Sequence, residues 1–184
     1  MKKWTWILIA VVMVGLIGGA SMLYNQLAVD YAPVQSVTEA AVDQAPDFRV
    51  TDGEGNEVNL SDFFGKPIVL NFWASWCGPC QYEMPDFEEA YHQYGEEVQF
   101  LMVNLTDGYS ETVNSAKNFL AGTGYTFPVY FDTLSDAAKI YQVYSIPCTY
   151  FLDTDGAIVS KTIGMISADA LQQGIDLIMI ELVT

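Results

Sequence analysis

Two cysteines two residues apart are the part of this sequence best suited to chemistry. Cys77 and Cys80 stand in the segment WASWCGPC. A structural disulfide between them would close a very short loop, which stabilises a protein least. A zinc site would need a second cysteine pair or histidines, and the sequence offers only His92 and the distant Cys148. Gln81 follows Cys80, so the Cys-x-x-Cys-His pattern of haem attachment is absent. Dithiol redox chemistry, without metal or other cofactor, remains.

The flanking segments predict where the two sulfurs lie. PIVLNFWAS is a continuous apolar run, typical of a strand buried on both faces, and QYEMPDFEEAYHQYG has helical spacing up to a glycine. A strand that ends near Ala74 and a helix that begins about Cys77 place this sulfur at a helix N-terminus, which favours a thiolate. We therefore predict that Cys77 is the nucleophile and Cys80, about one turn further, the resolving thiol. Pro79 fits the first turn, where its missing N–H costs nothing.

The rest of the chain alternates between strand and helix patterns. FRVTDGEGNEVNL predicts a hairpin, VQFLMVNL a buried strand, SETVNSAKNFLAGTG a helix, and FPVYFD a short strand. SDAAKIYQVY predicts a further helix, CTYFLD and AIVSKTIG a terminal hairpin, and SADALQQGIDLIMI a closing helix. This order predicts an α/β domain with a mixed sheet over residues 47–184.

The first 23 residues differ from this domain. Residues 1–23 contain Lys2 and Lys3 followed by a run of about 20 uncharged residues, long enough to cross a bilayer. The lysines favour a cytoplasmic N-terminus, so we expect a single transmembrane anchor, a linker over residues 24–46 and an extracytoplasmic domain. A cleaved signal peptide is the alternative, although the apolar run exceeds the usual length of a signal core. With either an anchor or a signal peptide, the cysteines lie outside the cytoplasm, where thiols can be oxidised.

The charge of the chain argues against nucleic acid as a partner. The net charge is −16, and all 23 acidic residues lie beyond residue 29. Such a surface repels polynucleotides.

The motifs together resemble a known family. WASWCGPC is similar to the thioredoxin active-site motif. From about Ala45 onward the chain resembles the membrane-anchored TlpA-like and ResA-like branch of the thioredoxin superfamily. The likeness rests on GKPIVLNFWASWCGPC, EMP, FPVYFD, YQVYSIPCTYFLDTDG and Gly164. It implies a thioredoxin-like fold, a mixed central sheet flanked by helices, with an N-terminal hairpin and an inserted helix within residues 108–124.

The same resemblance assigns roles near the dithiol. Pro147 is expected to be cis and to face Cys77, the backbone of Ile146 to pair with an incoming peptide, and Trp76 to line the substrate groove. Gly78 completes the Gly-Pro pair that reducing thioredoxins carry between their cysteines.

Three further positions follow from the family pattern. Asn71 replaces the buried aspartate of thioredoxin. Glu83 matches the glutamate of this branch, and a partly buried carboxylate there would raise the pKa of Cys80 or accept its proton. A solvated helix position is the plain alternative. Pro85 matches a helix-kinking proline.

The sequence departs from the pattern at Cys148, where relatives commonly have threonine. A small buried hydrophobic residue is one interpretation. A third redox-active sulfur, able to trap Cys77, is the other.

The resemblance implies a membrane-tethered thiol–disulfide oxidoreductase that reduces extracytoplasmic client proteins. A transmembrane thiol carrier would supply its electrons. Candidate clients are apocytochromes before haem attachment and oxidised repair enzymes. A thiol peroxidase of the same fold is an alternative, but Ala74 stands where its threonine would be. An anchored binding module with an idle dithiol is the third hypothesis.

Overall fold

The computed structural model describes residues 43–180, and seven strands and four α-helices lie in this range. The strands are β1 Arg49–Thr51, β2 Glu57–Asn59, β3 Ile68–Trp73, β4 Gln99–Asn104, β5 Val129–Phe131, β6 Cys148–Leu152 and β7 Ile158–Ile163. The α-helices are α1 Gly78–Tyr94, α2 Val113–Ala121, α3 Asp136–Ile140 and α4 Ala168–Met179, and a 3-10 helix spans Leu60–Phe63.

The strands form one mixed sheet with the order β2-β1-β5-β4-β3-β6-β7. Strands β3, β4 and β5 are parallel to one another, whereas the pairs β1–β2, β1–β5, β3–β6 and β6–β7 are antiparallel. Both predicted hairpins are present. The observed order confirms the α/β domain with a mixed sheet, and it places β3 between β4 and β6.

Strand β3 is buried along its whole length, as the continuous apolar run predicts. Alternate side chains point to opposite faces of a sheet. Val69 and Trp73 pack in the core that includes α1 and α4, whereas Leu70 and Phe72 pack in the core on the other face. The two faces of the sheet therefore have different cores, and the cysteine pair belongs to the first.

Most helix boundaries follow the sequence signals, with one exception. Helix α1 ends before Gly95, and the side chain of Ser167 caps α4 by accepting from the backbone N–H of Ala170. The predicted helix SDAAKIYQVY is too long, because α3 ends at Ile140. The backbone of Gln142 is left-handed, with φ of 49°, and a residue in that conformation cannot continue a helix.

Two residues that precede the predicted start of the domain at residue 47 bond to its last hairpin. Gln44 forms a β-bridge with Ala157, and the backbone N–H of Ala45 donates to the carbonyl of Gly156. No helix within residues 43–180 has the length and apolar character to cross a membrane. The predicted anchor, residues 1–23, lies outside the described residues, as does the linker up to residue 42.

Candidate active site

The two cysteines form a disulfide at the start of α1. Cys77 is the N-cap residue of this helix, and its Sγ accepts the backbone N–H of Cys80 at 3.2 Å. Cys77 is 4% exposed to solvent, whereas Cys80 is fully buried. In the reduced protein the same N–H and the helix dipole stabilise a thiolate on Cys77. This geometry suits Cys77 as the attacking sulfur and Cys80 as the enclosed one.

A cis proline faces the disulfide. The Ile146–Pro147 peptide bond is cis, as the family resemblance implies, and the carbonyl oxygen of Ile146 lies 3.8 Å from Sγ of Cys77. Pro147 directly precedes β6, whose first residues pair with the end of β3. The sheet thus brings residue 146 and the nucleophile together across a long separation in sequence.

Glu83 lies in the interior one turn of α1 beyond Cys80. Only 2% of its surface is exposed, which rules out the solvated helix position. Its Oε1 accepts from Nδ2 of Asn71 at 2.9 Å, and its Oε2 accepts from the backbone N–H of Ile166 at 2.9 Å. Burial raises the pKa of Glu83 to about 7, against the opposing effect of these two hydrogen bonds. The carboxyl group can therefore gain or lose a proton near neutral pH.

Asn71 connects Glu83 to the neighbouring strand. Its Nδ2 also donates to Oγ1 of Thr149 at 3.0 Å, and the side chains of all three residues are buried. Within the described range, Oδ1 of Asn71 has no hydrogen-bond partner. The Asn71 side chain therefore donates a hydrogen bond to the Glu83 carboxylate without placing a second charge beside it. Thr149 and Ile166 were not among the residues predicted for the site.

Cys148 lies on the other face of the sheet. Thr149 points towards Asn71, so its neighbour Cys148 points away, into the core that contains Phe72 and Tyr150. Cys148 is free and 4% exposed, and burial raises the pKa of its thiol. Its placement matches the interpretation as a small buried hydrophobic residue.

The remaining predicted residues surround the dithiol or support α1. Gly78 and Pro79 form the first turn of α1, and the helix continues through Pro85. Trp76 is 59% exposed and borders a groove of about 250 Å³. The groove is also lined by Leu105, Val143, Tyr144 and Ile146. Ile146 lines this groove and its carbonyl oxygen also lies near Sγ of Cys77, so the groove adjoins the disulfide.

Glu111 is a buried acid near the site that the sequence analysis did not single out. It lies in the loop between β4 and α2, and its Oε2 accepts from both the backbone N–H and the hydroxyl of Ser75. The sequence does contain a signal for the position of Glu111. Strands β3 and β4 are parallel and buried, so their carboxyl ends lie at the same edge of the sheet. Polar residues soon after β4 therefore lie close to the loop that carries the cysteines.

The chain matches proteins of known class. Residues 41–161 match the AhpC/TSA family. The thiol-disulfide oxidoreductase ResA of Bacillus thuringiensis subsp. konkukian is 36% identical over 131 residues, which cover 71% of this chain and 73% of that protein. The thioredoxin-like protein YneN of Bacillus subtilis is 32% identical and matches 96% of this chain and 99% of its own length.

Solved structures agree with the fold. The exposed lipoprotein thioredoxin Etrx1 of Streptococcus pneumoniae superimposes with a TM-score of 0.63 at 32% identity, covering 71% of this chain and 98% of that one. The mixed sheet, the cysteine pair at the start of α1 and these matches agree with one another. The chain belongs to the AhpC/TSA family and is a ResA-like thiol-disulfide oxidoreductase with a thioredoxin-like fold.

Proposed function

We propose that the protein is tethered to the cell membrane and reduces disulfides of extracytoplasmic client proteins. The observation that supports dithiol exchange is the pairing of a helix-capping Cys77 with the buried Glu83, one turn beyond Cys80. The direction of the reaction rests on the Gly-Pro pair between the cysteines, which reducing thioredoxins carry. A carboxyl group whose pKa is about 7 can take the proton that Cys80 must lose when a reduced dithiol delivers electrons.

The first step is the attack of the Cys77 thiolate on a client disulfide. A bond forms between Sγ of Cys77 and one client sulfur, the client S–S bond breaks, and the other client sulfur leaves as a thiolate that takes a proton from solvent. The N–H of Cys80 and the dipole of α1 favour the thiolate before the attack. The groove beside Trp76 and Ile146 is placed to hold the client segment.

The second step releases the client. Cys80 transfers its proton to Glu83, and the resulting thiolate attacks Sγ of Cys77. The mixed disulfide breaks, the remaining client sulfur leaves as a thiolate and is protonated, and the Cys77–Cys80 disulfide forms. The client gains two electrons and two protons. A transmembrane thiol carrier of the same exchange chemistry would return the dithiol to its reduced form.

The reduction potential of the Cys77–Cys80 couple tests the direction. The purified protein is equilibrated in dithiothreitol and glutathione buffers, and the fraction of reduced dithiol is counted by alkylation and mass spectrometry in a Cys148→Ala background. We expect a value close to that of thioredoxin, about −270 mV. A value close to that of DsbA, about −120 mV, would make the protein an oxidant and overturn the proposal.

The tether and the compartment need a separate test with the full chain. We expect the intact chain to stay with the membrane pellet after an alkaline wash, and a protease added outside spheroplasts to digest the domain. A soluble chain shortened by about 20 residues would show a cleaved signal peptide instead of an anchor.

Clients are identified with purified oxidised substrates. The reduced protein is mixed with an oxidised Cys-x-x-Cys-His peptide, representing apocytochromes, or with an oxidised methionine sulfoxide reductase. Reduction of one substrate at a much higher rate than the other assigns the client class. A Cys77→Ser variant serves as the control and should reduce neither substrate. In cells, a binding module with an idle dithiol would keep its role in that variant, whereas an oxidoreductase would lose it.

A further inference from the structure

Glu111 carries a buried carboxylate that the exchange reaction described above does not use. Its side chain is 1% exposed, and no basic side chain within residues 43–180 forms an ion pair with it. A buried acid without a cationic partner must be stabilised by hydrogen bonds. The identity of its donors therefore indicates what the carboxylate holds in place.

The donors of Glu111 come from the loop that precedes the nucleophile. Its Oε2 accepts the backbone N–H of Ser75 at 3.1 Å and the hydroxyl of Ser75 at 2.8 Å. The carbonyl of Ser75 accepts from Nε2 of Gln81, on the second turn of α1, at 2.5 Å. Ser75 is thus bound through every polar group it has, and it stands two residues before Cys77.

Glu111 is itself held by the strand end and the loop around it. Its Oε1 accepts from Nδ2 of Asn104 at 3.1 Å, while Oδ1 of Asn104 accepts from the hydroxyl of Thr106 at 2.9 Å. This second bond fixes which side of the Asn104 amide faces Glu111. The backbone N–H of Glu111 donates to Asp107, and its carbonyl accepts from the backbone N–H of Gly108. The carboxylate therefore has little freedom to move.

We propose that Glu111 is a positioning residue for the attack by Cys77. By fixing Ser75, it holds the backbone of Trp76 and Cys77 against the start of α1 and opposite Ile146. Thiol–disulfide exchange requires the attacking sulfur to approach along the S–S bond of the client, and a displacement of about 1 Å can cost a reaction 100-fold in rate. This role extends the established exchange chemistry and does not depend on its direction.

The test reverses the hydrogen-bond pattern between residues 111 and 104. Glu111→Gln places an amide where only an acceptor fits, and either orientation of that amide leaves a donor facing a donor at Ser75 or Asn104. The double variant Glu111→Gln with Asn104→Asp restores one donor facing one acceptor. The control is Glu97→Gln, which neutralises an exposed acid whose side chain makes no hydrogen bond within residues 43–180.

The measurement is the second-order rate constant of the reduced protein with oxidised glutathione, at a temperature where circular dichroism shows each variant folded. We expect Glu111→Gln to react about tenfold more slowly than the wild type, and the double variant to return to within about threefold of it. Glu97→Gln should react at the wild-type rate.

The pH dependence separates position from charge. Loss of a nearby negative charge alone would favour the Cys77 thiolate and accelerate the reaction. A slower reaction across the whole pH profile therefore supports positioning, whereas an unchanged or faster rate for Glu111→Gln overturns it, as does a double variant that regains nothing.

If Glu111→Gln does not fold, Ser75→Ala removes only the hydroxyl bond. We then expect about a threefold loss, and an unchanged rate would overturn the proposal.

Discussion

Nδ2 of Asn71 donates to Oε1 of Glu83 across 2.9 Å, and both side chains are closed off from solvent. An amide at this position supplies a hydrogen bond to Glu83 without adding a second negative charge beside it. Burial raises the pKa of Glu83, and the hydrogen bond from Asn71 limits that rise.

The stability of the oxidised protein should fall as the pH rises through neutrality. The pKa of Glu83 is about 7 in the folded protein and 4.5 in its ordinary state, so the folded chain binds more protons between these values. The stabilisation by the protonated form is complete below about pH 4.5 and is lost as the pH rises through about 7. The difference between the two pKa values corresponds to a decrease in the free energy of unfolding on the order of 3 kcal/mol.

Urea unfolding at pH 5 and pH 8 measures this effect, with Glu83→Gln as the comparison. The free energy of unfolding of the wild type should fall more between the two pH values than that of Glu83→Gln. Parallel pH profiles for the two proteins would contradict the shifted pKa.

Asn71→Asp should destabilise the oxidised protein, and more at pH 8 than at pH 5. The substitution sets a second carboxyl group beside Glu83 in a fully buried position, and two like charges at this distance cannot both be ionised without a large cost. We expect a loss of about 3 kcal/mol or more at pH 8, because no basic side chain within residues 43–180 pairs with Glu83. Urea unfolding is again the measurement, and equal losses at the two pH values would argue against charge repulsion.

Glu83→Gln should slow the release of the client more than its capture. Glutamine cannot accept the proton of Cys80, so the mixed disulfide on Cys77 should break about 100-fold more slowly. In the wild type this step should accelerate as the pH rises through about 7, the pKa of Glu83. In the variant this acceleration through the pKa of Glu83 should be absent.

Quenched-flow alkylation followed by mass spectrometry resolves the two steps. The control is Glu89→Gln, an exposed acid on the same helix. Equal breakdown rates in the wild type and Glu83→Gln would remove Glu83 from proton transfer.

The order of the elements could be predicted from the sequence because it depends on local patterns. The buried run of β3, the glycine after α1 and the serine before α4 each act within a few residues. The end of α3 could not be predicted, because Gln142 takes a left-handed conformation without any glycine or asparagine to signal it.

The residues of the site that we predicted from the sequence are those that one segment or a family motif carries. The cysteine pair and its helix cap are local, whereas the cis bond at Pro147 came from resemblance alone. The partners of Asn71 and Ser75 come from separate segments. The pairing of β3 with β6 sets Thr149 beside Asn71, and Glu111 reaches Ser75 from the loop after β4.

Cys148 should take no part in the redox cycle. Its side chain lies on the opposite face of the sheet from the Cys77–Cys80 pair, and burial raises the pKa of its thiol. Cys148→Ala should therefore change the rate of client reduction by less than about twofold, since both determinants of thiol reactivity, exposure and thiolate fraction, are unfavourable at this position. Peptide mapping of the oxidised wild type should show the Cys77–Cys80 disulfide alone. A bridge from Cys148 to Cys77, or glutathione on Cys148 in the folded protein, would restore the hypothesis of a third redox-active sulfur.

Trp76 should contribute to client binding and not to the exchange chemistry itself. Its side chain is 59% exposed on the rim of the groove beside Cys77, and an exposed tryptophan at such a rim offers a large contact area. Trp76→Ala should raise the KM for a protein substrate such as insulin about tenfold, the size of effect expected when a principal contact residue is truncated. The rate with oxidised glutathione should change little, because that small disulfide does not need the groove. Leu177→Ala, which truncates an exposed residue on α4, is the control and should leave both rates unchanged. Equal losses with insulin and with glutathione would mean that Trp76 supports the geometry of Cys77 instead of the contact with the client.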